Sequence, residues 1–255
     1  MWGGFPIKTL DLFSGIGGFA LGLESVGFET VAFCERDLFC QAVLKKHWPH
    51  VPIHSDITEL NGYEYRGTVE LVCGGFPCQP FSVAGKRRGA EDDRALWPEM
   101  LRVIREVQPT WVIGENVSGI IAMELDTVLS DLESQGYSCQ SFVIPACAVD
   151  ARHKRDRVWI VAHADGNSEI MADADSNRLQ GRSEEQVYGV REISRKFKRS
   201  GQVRPSFWSV EPNVGRVADG VPNRSHRLKS LGNAVVPQVV AAIAQAIIMS
   251  QQDEQ

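Results

Sequence analysis

No Cys-x-x-Cys pair occurs in this chain; its six cysteines stand apart at 34, 40, 73, 78, 139 and 147. That spacing supports neither a zinc site nor a disulfide framework, so reduced thiols and no metal are expected. No apolar run approaches the length needed to cross a bilayer, and the opening Met1-Trp2-Gly3-Gly4-Phe5-Pro6 lacks the charged start and apolar middle of a secretion signal. The expectation is a cytoplasmic protein with no membrane attachment. Net positive charge is missing too, since 27 Lys and Arg stand against 32 Asp and Glu. That average does not exclude nucleic acid, because only local patches meet phosphates. Residues 182–204 hold seven Lys or Arg against three Glu. Also absent is the G-x-G-x-x-G turn of dinucleotide-binding folds.

What is present suits one α/β core with a smaller appended module: 255 residues, 43% hydrophobic and 23% charged. Residues 69–73 form an apolar run that reads as a buried strand, followed by Gly74-Gly75-Phe76-Pro77-Cys78-Gln79-Pro80-Phe81-Ser82. In open α/β sheets chemistry collects outside the carboxyl ends of the strands, which is where this loop presents Cys78 between two prolines. Cys78 is read as a nucleophile; a structural thiol, or half of a metal site with Cys73, is the competing reading.

Residues 7–12 read as a strand running into Asp11-Leu12-Phe13-Ser14-Gly15-Ile16-Gly17-Gly18-Phe19, after which helical spacing begins. Glycines at a strand-to-helix turn let a ligand approach the backbone, beside the unpaired N–H groups of the helix start. A nucleotide-like cofactor is expected there. The next apolar run, 30–34, ends in Glu35-Arg36-Asp37. Glu35 is the candidate acceptor for ribose hydroxyls, whereas Asp37 better fits a helix N-cap. Asp56, in Ile53-His54-Ser55-Asp56-Ile57, which resembles a third strand tip, is either a base-amino acceptor or a turn residue.

After Cys78 comes a glycine-punctuated polar loop with three successive cations, Lys86-Arg87-Arg88. It reads either as a segment that folds over substrate or as a solvated loop. Helices are expected from 96 to before Pro109, over 120–132 and over 239–249; strands over 111–114, 137–145 and 158–162. The strand at 111–114 delivers Glu115-Asn116-Val117 to the same edge as the earlier loops, a suitable place for an acid/base carboxyl. Arg155 and Arg157 alternate at a strand start and are expected to point the same way, toward the site or into salt bridges.

Six stretches together resemble the DNA (cytosine-5) methyltransferases of bacterial and phage type, in that family's order: DLFSGIGGF at 11–19, CERD at 34–37, GGFPCQPFS at 74–82, ENV at 115–117, RHKRDRVWIV at 152–161 and LGNAVVPQV at 231–239. The resemblance implies a Rossmann-like sheet with helices on both faces. Catalytic and cofactor-binding parts would occupy 1–163, a small inserted target-recognition module 164–225, and a C-terminal return 226–255. It implies S-adenosylmethionine held by Phe13, Gly15, Gly17, Glu35, Asp56 and Ile57, with Leu96, Asn233 and Val235 closing the pocket. It further implies Cys78 as nucleophile, Glu115 and Arg157 on the cytosine, and Arg155 supporting them. DNA would be met through Gln79, Ser82, Lys86, Arg87 and Arg94. Where the family has Gln-Arg ahead of Arg-x-Arg, this chain has His153-Lys154, which therefore carry no catalytic assignment.

The expected substrate is double-stranded DNA, acted on by a monomer, with a cognate restriction endonuclease as a genetic partner. Methylation of cytosine in RNA is the alternative enzyme, and a silent DNA-binding relative the alternative class. The intact Cys78, Glu115 and Arg157 argue against silence. Methylation of an exocyclic amino group would call for a proline-proline-aromatic loop in place of Pro77-Cys78-Gln79.

Overall fold

Nearly continuous burial along short strands marks a sheet that is covered on both faces. In the computed structural model, which describes residues 6–77, 96–164 and 224–253, these strands are β1 (Lys8–Leu12), β2 (Glu29–Cys34), β3 (Ile53–His54), β4 (Leu71–Gly74) and β5 (Trp111–Val117). Two more, β6 (Tyr137–Pro145) and β7 (Asp156–Ala164), complete seven strands in the order β3-β2-β1-β4-β5-β7-β6. The first five pair in parallel, and β7 runs antiparallel between β5 and β6. The order reverses at β1, whose neighbours β2 and β4 lead the chain to opposite sides, so a crevice opens beyond its carboxyl end.

Alternate residues go to opposite faces. Val72, Val112, Val158 and Ile160 meet helices α3 (Trp97–Val107) and α5 (Leu125–Glu133), whereas Leu71, Cys73, Ile113 and Trp159 meet α1 (Gly18–Glu24) and the C-terminal helix. Helix α2 (Leu38–His47) buries Leu44 with Phe33, and Asp37 caps it by accepting from Phe39 N and Cys40 N, the N-cap role its position suggested. Helix α3 begins with Pro98 near its N-terminus and ends at Gln108, which adopts φ +53° ahead of Pro109.

Three elements differ from the pattern reading. The helix expected over 120–132 is broken into α4 (Ile120–Met123) and α5, because Glu124 leaves helical geometry at φ −140°. A helix α6 (Arg224–Asn233) precedes the last one, α7 (Pro237–Asp253); its weak amphipathicity gave no periodic signal. Residues 229–251 are, by length and composition, long and apolar enough to span a bilayer, with a mean hydropathy of 1.7 over an 18-residue window. That run is interrupted between Asn233 and Pro237, and α7 instead buries Val239, Val240, Ile243, Ala244 and Ile247 in the core. Each fully buried Val or Ile contributes roughly 1.5–3 kcal/mol, an ample reason for this helix to lie on the sheet.

Helix α1 receives α7 through its glycines. A Cβ on Gly22 would stand 2.5 Å from Pro237 O, and one on Gly18 would stand 2.7 Å from Val235 Cγ2. The C-terminal return is thereby seated against the first turn of the fold. Of the expected module, residues 165–223 lie outside the described residues. Cys34, Cys40 and Cys73 are buried free thiols, Cys147 is an exposed one, and the half-buried Cys139 donates its thiol to Tyr137 O.

Candidate active site

At the carboxyl end of β1 the chain turns through Phe13 at φ +53° and Gly15 at φ +54°. Ser14 Oγ closes the turn by donating to Asp11 O at 2.6 Å. A Cβ on Gly15 would meet no atom within 4 Å, so the turn faces open space there. Gly17 turns away: at φ +85°, its Cβ would lie 2.5 Å from the Trp48 ring, so packing and backbone conformation both demand glycine.

Glu35, at the tip of β2, is held by Gly15 N donating to Oε2 and Asp37 N donating to Oε1, both at 2.7 Å, while Gln41 Nε2 donates to its carbonyl at 2.7 Å. These bonds aim a carboxylate across the crevice without using all its lone pairs. The crevice is a cavity of about 610 Å³ bordered by Phe13, Gly15, Glu35, Phe76, Leu96 and Val235, and it continues to Pro77, Glu115, Asn116, Arg157 and Asn233.

Three expected cofactor contacts stand apart from those walls. Gly17 faces Trp48, Asp56 sits in a turn where its Oδ1 accepts from Thr58 N and Oγ1 at 3.0 and 2.8 Å, and Ile57 is buried with its carbonyl accepting from Arg102. Strand β3 is two residues long, which puts this turn at the sheet margin.

The other end of the cavity belongs to β4, β5 and β7. Glu115 is 7% exposed, and burial pushes its carboxyl up to about 7 against the opposing pull of Arg157 and Arg155. Arg157 Nε is 2.9 Å from Glu115 Oε1 as an ion pair, set off the axis that a hydrogen bond to this oxygen needs. A Cβ on Gly75 would stand 3.1 Å from Glu115 Oε2, so the glycine lets the carboxyl lie against the β4 loop.

Asn116, which carried no role in the sequence reading, ties that loop to β5: its Nδ2 donates to Phe76 O at 2.9 Å and its Oδ1 accepts from Val117 N. Phe76 packs its ring on Trp97 with centroids 5.0 Å apart. The loop therefore reaches Pro77 under firm control. Cys78, Gln79, Ser82, Lys86, Arg87 and Arg94 lie outside the described residues.

Arg155 does not share the direction of Arg157. It precedes β7, takes φ +38°, and one of its terminal nitrogens donates to Gly232 O at 2.7 Å and to Ala234 O at 2.9 Å. Strand alternation fails because residue 155 is not in the strand. Lys154 pairs with Asp156 at 2.8 Å in solvent.

Chemically, the cavity joins a glycine-lined, carboxylate-tipped end suited to a nucleoside with an end where a carboxyl titrating near neutrality meets a guanidinium group. A family model of C-5 cytosine-specific DNA methylases matches residues 7–208. Among curated proteins, the Type II methyltransferase M.PspPI of Psychrobacter sp. is 39% identical over 161 residues, covering 60% of this chain and 39% of the relative. The Type II methyltransferase M.HgiCII of Herpetosiphon aurantiacus is 35% identical, with 60% and 36% covered, and M.HhaI of Haemophilus parahaemolyticus is 34% identical, with 61% and 48% covered. The matched part is thus less than half the length of each of these three relatives. Among solved structures, the Entamoeba histolytica methyltransferase EhMeth superposes with a TM-score of 0.63 at 14% identity, over 96% of this chain and 99% of that one, a likeness of fold. A putative DNA modification methyltransferase from an E. coli prophage gives 0.54 at 25% identity, over 62% and 47%.

Proposed function

The chain belongs to the C-5 cytosine-specific DNA methylase family, and we propose that it transfers a methyl group to carbon 5 of a cytosine in double-stranded DNA, within a short specific sequence. The observation that carries this reading is the Glu115–Arg157 pair beside residues 75–77, which lead directly into Cys78.

No group in this recess reaches a base inside a stacked duplex, so the cytosine must be flipped into it. Glu115 holds a proton part of the time near neutral pH and can share it with ring nitrogen 3, while its other oxygen accepts from the exocyclic amino group. Arg157, paired with Glu115, would donate to the ring carbonyl oxygen. These contacts draw electron density toward nitrogen 3 and make carbon 6 open to attack.

The Cys78 thiolate then bonds to carbon 6, and the electrons of the 5,6 double bond move onto carbon 5, giving an enamine-like nucleophile. S-adenosylmethionine, when bound, supplies an electrophilic methyl group for that carbon. Loss of the carbon 5 proton and expulsion of Cys78 restore the aromatic ring.

The walls of the cavity fit such a donor. Glu35 accepts ribose hydroxyls, Phe13 and Phe76 offer aromatic surface, Gly15 leaves room at the backbone, and Leu96, Asn233 and Val235 form the opposite side. Asp56 and Ile57, which stand apart from the cavity walls, remain proposed cofactor contacts on the resemblance to the family, and Gly17 shapes the turn through Trp48. Gln79, Ser82, Lys86, Arg87 and Arg94 are proposed DNA contacts, with the module at 164–225 reading bases. The Type II names of the relatives support a restriction–modification setting; a cognate endonuclease as a genetic partner, a monomeric state and a cytoplasmic location belong to the same proposal.

Incubating the chain with methyl-labelled S-adenosylmethionine and either duplex DNA or transfer RNA tests the proposal. Labelled 5-methylcytosine should appear in the duplex; label in RNA alone contradicts it.

A further inference from the structure

The cavity wall formed by residues 232–235 lies far along the chain from the strands it faces, and something must hold it there. Helix α1 does so from one side, through Gly18 against Val235 and Gly22 against Pro237. Helix α6, just before the wall, is fastened to the start of α2: Lys229 Nζ lies 3.3 Å from Asp37 Oδ2, Cys40 Sγ lies 3.5 Å from Ser230 Oγ, and His226 stacks on Phe39 with ring centroids 5.7 Å apart.

From the β7 side the wall is held by Arg155, bonded to the carbonyls of both Gly232 and Ala234. Those two carbonyls flank Asn233, a cavity-lining residue, so fixing them fixes the backbone from which Asn233 projects. Arg155 is itself anchored, since Ala146 N donates to Lys154 O at 2.7 Å and lies 3.3 Å from Arg155 O. Its φ of +38° is an unfavourable conformation for a side-chain-bearing residue, and strain of this kind persists where surrounding contacts enforce it. Two residues later Arg157, in β7, meets Glu115, so the arginine before the strand and the one within it serve two ends of one cavity.

We propose that Arg155 is a positioning residue of the cofactor pocket, holding residues 232–234 as its far wall, and that it does not act on the cytosine. The inference rests on the proposed function, because the pocket is assigned there to S-adenosylmethionine. It predicts that Arg155 governs cofactor affinity whereas Arg157 governs the chemical step.

The test is calorimetric titration of S-adenosylmethionine, and of the product S-adenosylhomocysteine, into the full chain without DNA. Arg155→Met should raise Kd about tenfold, the loss expected for two charge-assisted hydrogen bonds that order a binding wall. At saturating cofactor its kcat should stay within about twofold of wild type, while Arg157→Met leaves Kd unchanged and lowers kcat. Arg155→Lys keeps the charge but not the planar guanidinium group, and it too should bind more weakly. Thermal unfolding without ligand shows which variants are folded, and a folded variant should gain less from S-adenosylhomocysteine than wild type does. Wild-type Kd in either folded Arg155 variant, or a fallen kcat with unchanged Kd, overturns the inference. If wild-type protein binds neither compound, the proposed function fails instead.

Discussion

Arg157 Nε stands 2.9 Å from Glu115 Oε1 across the antiparallel pairing of β5 and β7. The register places Arg157 opposite Val117, two residues beyond Glu115, so the contact is a diagonal one along the same face. A long side chain spans that offset; a shorter one would not. The pair gives the cavity one group that can carry a proton and one that cannot lose its own.

Glu115→Gln should therefore lower kcat by about 100-fold or more, the usual weight of a positioned acid, while cofactor Kd stays near wild type. Single-turnover methylation alongside cofactor titration reads both. Wild-type kcat would make Glu115 a structural residue only.

The same carboxyl sets a pH dependence of stability. Burial raises it from 4.5 to about 7, so between those values the folded chain holds a proton the unfolded chain has released. Folding is thus weakened as pH rises through that window, by about 3 kcal/mol in full, with no effect below it and the whole penalty above it. Glu115→Gln lacks this proton. Denaturant unfolding at about pH 5 and about pH 8 should show the variant gaining on wild type at the higher pH; parallel stabilities at both would contradict the buried carboxyl.

Asn116→Ala should cost about 1–3 kcal/mol, because Phe76 O loses its buried donor. It should also slow methyl transfer more than it weakens cofactor binding, since the loop it holds leads to Cys78. Unchanged turnover would show that Phe76 and Trp97 alone fix the loop.

Gly22→Ala should destabilise by about 1–3 kcal/mol, because its Cβ meets Pro237 O at 2.5 Å and α7 must shift. Cofactor affinity should fall with it, as Val235 moves with Pro237. Chemical unfolding and cofactor titration measure the two effects, and a neutral substitution would mean α7 is not seated through α1.

Much of this was legible in the residues because their local chemistry admits few outcomes. Asp37 ahead of a helical run caps it, Pro109 follows the end of α3, and apolar runs with glycine or carboxylate tips become parallel strands whose ends converge. Tertiary relationships were less legible. Arg155 and Arg157 look equivalent at alternate positions, yet a positive φ at 155 sends one arginine to Gly232 and Ala234. Helix α6 has little apolar periodicity because it is fastened mainly by Lys229, Ser230 and His226. Asn116 stood beside Glu115, but its partner, a carbonyl 40 residues earlier, exists only once β4 and β5 pair. Gly17 belongs to a recognisable turn, while the Trp48 ring that demands its lack of a side chain comes from the end of α2.

The central claim is a transient bond between Cys78 and carbon 6 of a cytosine. Sequencing the methylated cytosines of a genome expressing the chain identifies the target site, and a duplex with 5-fluorocytosine there, mixed with protein and S-adenosylmethionine, then tests the bond directly. Fluorine replaces the proton whose loss frees the enzyme, so the account predicts a denaturation-resistant protein–DNA adduct mapping to Cys78 and missing in Cys78→Ala. Active protein that forms no such adduct, or forms it at another residue, would contradict it.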